Sequence, residues 1–594
     1  MSDDNVIQKI DLDKVDWRGS REFFESLGEA LDKLDDKDES FDFTWVGKRK
    51  SIIEAGAPIN KTFRPDTKSS KNWDETENLF IEGDNLDALK LLQESYLGKV
   101  KMIYIDPPYN TGKDFVYHDN FRADVQQYDE DTEYKDEAGN IQFKKNEKTN
   151  GRYHSDWLSM MYPRLKLARN LMADDGVIFI SIDDNEQANL RKLCDEVFGE
   201  DNFVADFIWT KKEKASGVPP VNMILPNKEH VLCYKKADDV RFAGQARSMK
   251  SYKQDDDGRW WRLMPIQATG NQNSYFDITD PSTGIAYHGN WAFSEDTIKR
   301  MVSEGRIAFP KSGKGLPTQI VYADEMKNDS SPIFEYLGLY ESEVSSKALI
   351  KLMGGKLFDF PKPVDLIKFF IQQRAKDDDI VIDFFSGSAT TAHAVMQLNA
   401  EDGGNRKWIM VQLPEETDEK SEAYKAGYKT IPEISRERIR RAGDKIAKEH
   451  PDAKVDYGFR SLVIDETNYK EVYKSAGQYE QSELLDAIDN IKEDRGDLDL
   501  LYGVLTQSAL ELNRPIETVE IAGATTYKYD YFGEVSGLVA CFAENVPEET
   551  IKEIARLKPL TAVFRESSFE NSQAKVNLAE HFRILSPETK VKVV

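Results

Sequence analysis

Val100-Lys101-Met102-Ile103-Tyr104-Ile105-Asp106-Pro107-Pro108-Tyr109 passes from an apolar run to a polar, proline-locked turn between one residue and the next. The run is short and apolar, and it stops at a Pro pair that cannot continue a sheet, which predicts a buried strand over 100–105. Upstream, Leu79-Phe80-Ile81-Glu82 predicts another short strand. Gly83-Asp84-Asn85 then turns the chain into a helix over 86–96 with apolar residues at Leu86, Leu89 and Leu92. Downstream, a helix over 157–172 leads to the strand 177–182. Asp183-Asp184-Asn185 then starts a helix over 186–197, read as its N-cap. Strands alternating with helical segments predict an α/β fold with a largely parallel sheet.

The pattern continues through strands at 204–209 and 230–234, lapses between about 237 and 345, and resumes with the helix 364–374 and the strand Ile380-Val381-Ile382-Asp383. Phe384-Phe385-Ser386-Gly387-Ser388-Ala389-Thr390-Thr391 follows, then a helix over 392–398, a strand over 408–413 and a basic helix over 435–447. Five units result: an N-terminal arm (1–75) with a helix near 20–34, an α/β half (76–236), an inserted module (237–345), a second α/β half (346–449) and a C-terminal α+β domain (450–594).

In an open α/β sheet, ligands gather beyond the carboxyl ends of the strands. Asp106-Pro107-Pro108-Tyr109 suits the activation of an exocyclic amine on a base, whose lone pair is delocalised into the ring. Two acceptors aimed at its two N–H bonds localise that lone pair. Asp106 supplies a carboxylate, and the carbonyl of Pro107 (or, second, Pro108) supplies the other acceptor, held in place by the fixed proline φ. Tyr109 offers a flat face for a base extruded from its duplex. A tight turn after a strand is the plainer reading of the same four residues. Asp383 to Thr391 is again strand, small-residue turn and helix. Gly387, Ser388 and Ala389 allow a ligand to approach backbone N–H groups at a helix N-terminus. The turn lacks the Gly-Lys-Ser/Thr of a P-loop and matches the dinucleotide fingerprint only imperfectly.

Composition sets outer limits. With 594 residues, the chain exceeds one hydrophobic core. It is 40% hydrophobic and 31% charged, with no apolar run of membrane-spanning length and an acidic, polar start unlike a secretory signal, so a cytoplasmic protein is expected. Three scattered cysteines, Cys194, Cys233 and Cys541, predict neither disulfides nor a metal site. The net charge of −26 disfavours a simple nucleic-acid glove but leaves room for a basic cleft on an acidic body.

The two motifs together resemble those of the DNA amino-methyltransferases. Asp106–Tyr109 resembles their catalytic motif IV, and Asp383–Thr391 resembles the motif I that holds S-adenosylmethionine. Phe358-Asp359-Phe360-Pro361-Lys362-Pro363 is similar to motif X, beside the cofactor's methionine end. The catalytic motif precedes the cofactor motif, which is the β-class order. Residues 78–92, 100–113 and 176–203 are similar to the modification (Mod) subunits of type III restriction–modification systems. The resemblance implies a Rossmann-like, circularly permuted sheet, S-adenosylmethionine as cofactor, and transfer to adenine N6 in a prokaryotic cytoplasm. It implies no metal, a Mod homodimer, and a Res partner with helicase and nuclease activity. It places the cofactor against Asp84, Phe360, Lys362, Pro363, Asp383, Phe385, Gly387, Ser388, Thr390 and Gln412. Glu415 is a substitute for Gln412, which stands where relatives carry a ribose-gripping acid. Asp84 reads equally well as a helix N-cap. Ala389 stands where the family has Gly, and His393 reads as a helix residue and not a base.

Target recognition is expected of the insert, where Arg259, Arg262, Gln267 and Asn271 have side chains suited to base edges. Lys211 and Lys212, in the basic loop between two strands, suit phosphates of double-stranded DNA. Two other readings stay open: a solitary regulatory adenine methyltransferase, and a DNA-recognition subunit whose catalysis is vestigial.

Overall fold

The computed structural model describes residues 43–112, 150–213, 226–237, 240–269, 274–311, 314–326, 330–470, 491–569 and 572–594, together with a short strand pair at 115–116 and 144–145. The helix expected over 20–34 lies outside the described residues.

Ten strands form the central sheet: β1 (Lys61–Lys71), β2 (Leu79–Glu82), β3 (Val100–Ile105), β4 (Met172–Ile182), β5 (Phe203–Thr210), β6 (Lys228–Lys235), β7 (Tyr336–Leu339), β8 (Ile380–Asp383), β9 (Lys407–Gln412) and β10 (Phe459–Glu466). Their spatial order is β1-β10-β2-β9-β8-β3-β4-β6-β5-β7. The run from β10 to β4 is parallel throughout, and β1 and β6 run against their neighbours. Side chains alternate between two cores. Ile103, Ile105, Ile382 and Val411 face one layer. It is built from α1 (Asn85–Tyr96), α2 (Tyr153–Leu171) and α3 (Gln187–Phe198). Met102, Tyr104, Val381 and Met410 face the other. There α4 (Val364–Arg374), α5 (Thr390–Asp402) and α6 (Ile431–Glu449) pack. This is the doubly wound, Rossmann-like arrangement expected from alternating strands and helices.

β3 and β8 lie side by side, with Ile103 opposite Ile382. From β3 the chain proceeds through α2 to β4 on one side. From β8 it proceeds through α5 to β9 on the other, so the strand order reverses between them. That crevice is where an open sheet accepts a ligand.

The insert has its own small core of Ile266, Ile278, Tyr287, Trp291, Ile298, Met301 and Ile307. It carries a four-stranded sheet that includes Trp260–Pro265 and Thr318–Tyr322. Its return strand β7 belongs to the central sheet, pairing with β5.

The two ends of the chain are less separate than their composition suggests. β1, read from its polar sequence as part of an arm, pairs with β10, which opens the segment read as a C-terminal domain. The helix Asp497–Gln507 buries Leu500, Leu501, Val504 and Leu505 in the core of the central sheet. Only beyond it does a second sheet form, over 516–593, with its own core of Val539, Ile554, Phe564 and Phe582.

Arg460 fastens these parts. It is fully buried on β10 and donates from Nε to the Trp73 carbonyl (2.8 Å), from Nη1 to Leu512 (3.2 Å) and from Nη2 to Asp74 (3.3 Å). Arg460→Leu removes all three bonds. The Asp74 and Leu512 carbonyls keep the Ile516 N–H and the Tyr502 hydroxyl as donors, so the Trp73 carbonyl bears the loss, and the variant is expected to lose roughly 1–3 kcal/mol. A urea unfolding midpoint that does not move in this variant would contradict that role.

Candidate active site

β3 and β8 deliver their motifs to one cavity of about 1400 Å³. Asp106, Pro107, Pro108 and Tyr109 line it on one side. Phe385, Gly387 and Gln412 line it on the other, with Phe360 and Lys362 between. The Asp106 side chain therefore shares a chamber with the Gly387 loop, as amine activation beside a cofactor requires.

The Asp106–Tyr109 turn is held by its neighbours. Trp157, buried on α2, donates from Nε1 to the Pro108 carbonyl at 2.7 Å. That acceptor is thereby engaged, whereas among the described residues no hydrogen bond reaches the Pro107 carbonyl. Of the two proline oxygens, that of Pro107 is the one without a donor. After Tyr109, Asn110 adopts a left-handed φ of 57°. Its side chain donates to Glu186 (2.5 Å), a fully buried carboxylate on which His154 (2.6 Å) and Asn189 (2.7 Å) also converge.

Two carboxylates and two lysines meet around Tyr109. Lys362 Nζ lies 2.8 Å from Asp106 Oδ2 and 3.4 Å from Glu229 Oε2, and 4.9 Å over the Tyr109 ring. Lys211 lies 3.2 Å from Glu229 Oε1, and the Tyr109 hydroxyl donates to Glu229 Oε2 at 3.2 Å. Asp106 Oδ1 is buried without a hydrogen-bond partner. Burial pushes the Asp106 carboxyl up, against the pull of the Lys362 ammonium. Burial would raise Glu229 too, but Lys362 and Lys211 outweigh it and hold that carboxyl below its ordinary range. Lys362 loses solvent yet is raised, because both carboxylates face it. Burial and the two acids push the Tyr109 hydroxyl well above its usual range, so it stays protonated.

The opposite wall divides the residues expected there into two groups. Gly387 has a φ of 49°, and an added Cβ would sit 3.3 Å from the Phe358 ring, so the loop leaves little room for a side chain. Its N–H donates to Gln412 Oε1 at 2.7 Å, which makes Gln412 a brace for the loop. Ala389 also has a left-handed φ, of 60°, a conformation that costs an L-residue about 1–2 kcal/mol and that a glycine would adopt freely. Asp383, Ser388 and Thr390 stand behind the loop and do not line the cavity. Asp383, pushed up by burial to about 7, accepts from Thr391 Oγ1 (2.6 Å) and Phe385 N (3.1 Å). Ser388 Oγ (2.6 Å) and Thr390 Oγ1 (2.8 Å) accept from the buried Arg438. Asp84 caps α1, accepting from Leu86 N at 2.7 Å, and pairs with Arg164 at 3.4 Å, away from the cavity lining. Pro363 is the N-cap residue of α4. His393 is buried on α5, where desolvation keeps it neutral. Asp183 and Asp184 do not cap α3, which begins after Glu186. Asp184 pairs instead with Lys228 (2.9 Å) and His230 (3.1 Å).

Lys211 and Lys212 line the cavity. The insert residues do not. Arg259 stacks on Tyr322 and is held by Asp324 (2.9 Å) and Glu325 (3.0 Å). Arg262 lies over Tyr252, Gln267 is exposed, and Asn271 is outside the described residues. Three site residues escaped sequence reading or were only half seen. Glu229, 8% exposed, opens an apolar strand with a charge, which was the available signal. Trp157 looked like any core aromatic. Glu415 lines the cavity, its carboxyl raised by burial. Among the described residues no cluster of His, Cys, Asp and Glu suits a metal ion, and the three cysteines are buried and free.

The model of the DNA methylase family matches residues 100–425, more than half of the chain, and the chain belongs to that family. Within it, the similarity is to Mod subunits of type III restriction-modification enzymes. The chain is 37% identical to the StyLTI Mod subunit of Salmonella typhimurium over 72% of its own length and 66% of the relative's. It is 31% identical to the EcoPI Mod subunit of Escherichia phage P1 and 30% identical to the EcoP15I Mod subunit of Escherichia coli, each over 90% of this chain and 88% of the other.

Trp157→Phe removes the hydrogen bond that fixes Pro108 while keeping an aromatic filler. Turnover is expected to fall about fivefold, the equivalent of roughly 1 kcal/mol, with cofactor affinity unchanged. An equal loss of cofactor affinity would show that Trp157 supports the whole fold instead.

Proposed function

We propose that this chain methylates N6 of adenine in double-stranded DNA from S-adenosylmethionine, as the modification and recognition subunit of a type III restriction–modification system. The observation that carries the reading is the shared cavity of Asp106 and Gly387, in a chain similar to Mod subunits along nearly its whole length.

The residues present fit the cofactor. The cramped Gly387 loop, the Phe385 ring and the partly buried Glu415 carboxylate form one wall. Gln412 Oε1 already accepts from Gly387 N–H, and we assign the ribose hydroxyls to Glu415. When bound, S-adenosylmethionine supplies the electrophilic methyl group. Asp106 and the Pro107 carbonyl accept the two N–H bonds of the target amine and localise its lone pair. Tyr109 stacks the adenine, which leaves the duplex to reach it. Lys211 and Lys212, at the cavity, meet backbone phosphates.

The insert is the part that reads sequence, on the strength of its independent core and its exposed Trp260, Leu263 and Tyr275. Arg259, already paired with two acids, is a poor candidate for base contact. The assembly is a Mod homodimer that works with a Res helicase–nuclease, in the cytoplasm of a prokaryote. No helix of the described residues is long and apolar enough to cross a membrane.

Asp106→Ala is expected to lower methyl transfer from labelled cofactor by roughly 10²–10³-fold, the usual effect of deleting one preorganised polar contact. Cofactor binding should persist, and full turnover in this variant would remove Asp106 from the mechanism. Glu415→Ala should weaken cofactor binding by about 10- to 100-fold, since a hydrogen bond to a charged group is worth roughly 1.5–3 kcal/mol. Sequencing of modified bases in a host expressing the chain should find N6-methyladenine at one motif; methylated cytosine would refute the adenine assignment.

A further inference from the structure

Lys362 occupies the place where the activating contacts converge. Its Nζ sits 2.8 Å from Asp106 Oδ2 and 4.9 Å over the Tyr109 ring. A target amine would need that carboxylate, and a target base would need that aromatic face. The same ammonium has a second carboxylate in reach, Glu229 Oε2 at 3.4 Å. Glu229 is held in turn by Lys211 and by the Tyr109 hydroxyl.

We infer that Lys362 is a placeholder for the target amine, and that Glu229 is the acceptor that takes its ammonium when the base enters. The inference rests on the adenine-methylation reading above. Two physical reasons support it. Asp106 already has one buried oxygen without a partner. A cation on the other oxygen keeps the carboxylate ionised and aimed while no base is bound. Methyl transfer then moves positive charge from sulfur to the amine nitrogen. A lysine left beside that nitrogen opposes the step, because like charges repel strongly where water is scarce. Transfer of Nζ to Glu229 clears Asp106, frees the Tyr109 face and neutralises the lysine within one small rearrangement. Glu229 touches no reacting atom on this account and is a positioning residue.

The test compares Glu229→Gln, Lys362→Met and the double variant on a duplex carrying the sequence this chain methylates in its host. A second duplex has 2-aminopurine at the target position and reports base extrusion by fluorescence. Glu229→Gln should lower kcat by about tenfold or more and reduce the fluorescence gain, because Lys362 then has no other carboxylate and stays on Asp106. Lys362→Met should lower KM for DNA several-fold and raise the fluorescence gain. The double variant should recover most of the activity lost in Glu229→Gln. Sinefungin affinity should stay near the wild-type value in Glu229→Gln, and the melting temperature should fall most in Lys362→Met, which leaves two carboxylates without their shared cation, and recover in part in the double variant. Lys362→Gln, also uncharged, should behave as Lys362→Met does. A double variant no more active than Glu229→Gln, or a Lys362→Met that abolishes base extrusion, would overturn the inference and make the pair a static support. Absence of adenine methylation by the wild-type chain would instead overturn the reading of the whole site.

Discussion

The parallel pairing of Val100–Ile105 with Ile380–Asp383 is the contact on which the rest depends. These strands lie far apart in the chain, yet their carboxyl ends carry the two motifs that face one cavity. Register between them is fixed from both sides. Ile103, Ile105 and Ile382 fill one core, while Met102, Tyr104 and Val381 fill the other. Slipping either strand by one residue would exchange every side chain between the faces, so neither core tolerates it. Because both layers must be satisfied at once, Asp106 is held opposite the Gly387 loop.

Within that frame, the cavity is governed by charge. Asp106, Glu229, Lys211, Lys362 and Tyr109 compensate one another in a chain whose overall charge is −26. Net charge therefore says little about the cavity, where cations gather against an acidic body. Such a cluster is sensitive to the loss of any one member, because the remaining charge is left buried without its partner. The same sensitivity makes it responsive: an incoming polar group that competes for Asp106 must displace an existing ion pair.

Support comes from parts of the chain distant in sequence. α6 sends Arg438 to Ser388 and Thr390, and the hydroxyl of Ser435 to the Gly387 carbonyl. α2 sends Trp157 to Pro108, and β1 with the helix Asp497–Gln507 closes the far edge of the sheet. Residues that resemble ligand contacts in sequence thus turn out to be shared between loop and scaffold. A small polar side chain at a helix N-terminus has backbone and side-chain partners behind it as well as a ligand in front.

The sequence by itself determined the inner strands of the sheet, its main helices and the two motifs, since apolar periodicity and a strand-terminating turn are local properties written in consecutive residues. Leu79–Glu82, Val100–Ile105, Val364–Arg374 and Ile380–Asp383 occur with the bounds that periodicity predicts. Tertiary structure alone decided which residues face the cavity and which brace it. The polar strand Lys61–Lys71 owes its existence to an edge partner some 400 residues later. Lys362 was placed by the partners it found, Asp106 and Glu229, and Gln412 by the Gly387 N–H. Periodicity cannot foresee such choices, because a polar side chain goes to whichever unsatisfied group the finished fold brings within about 3 Å.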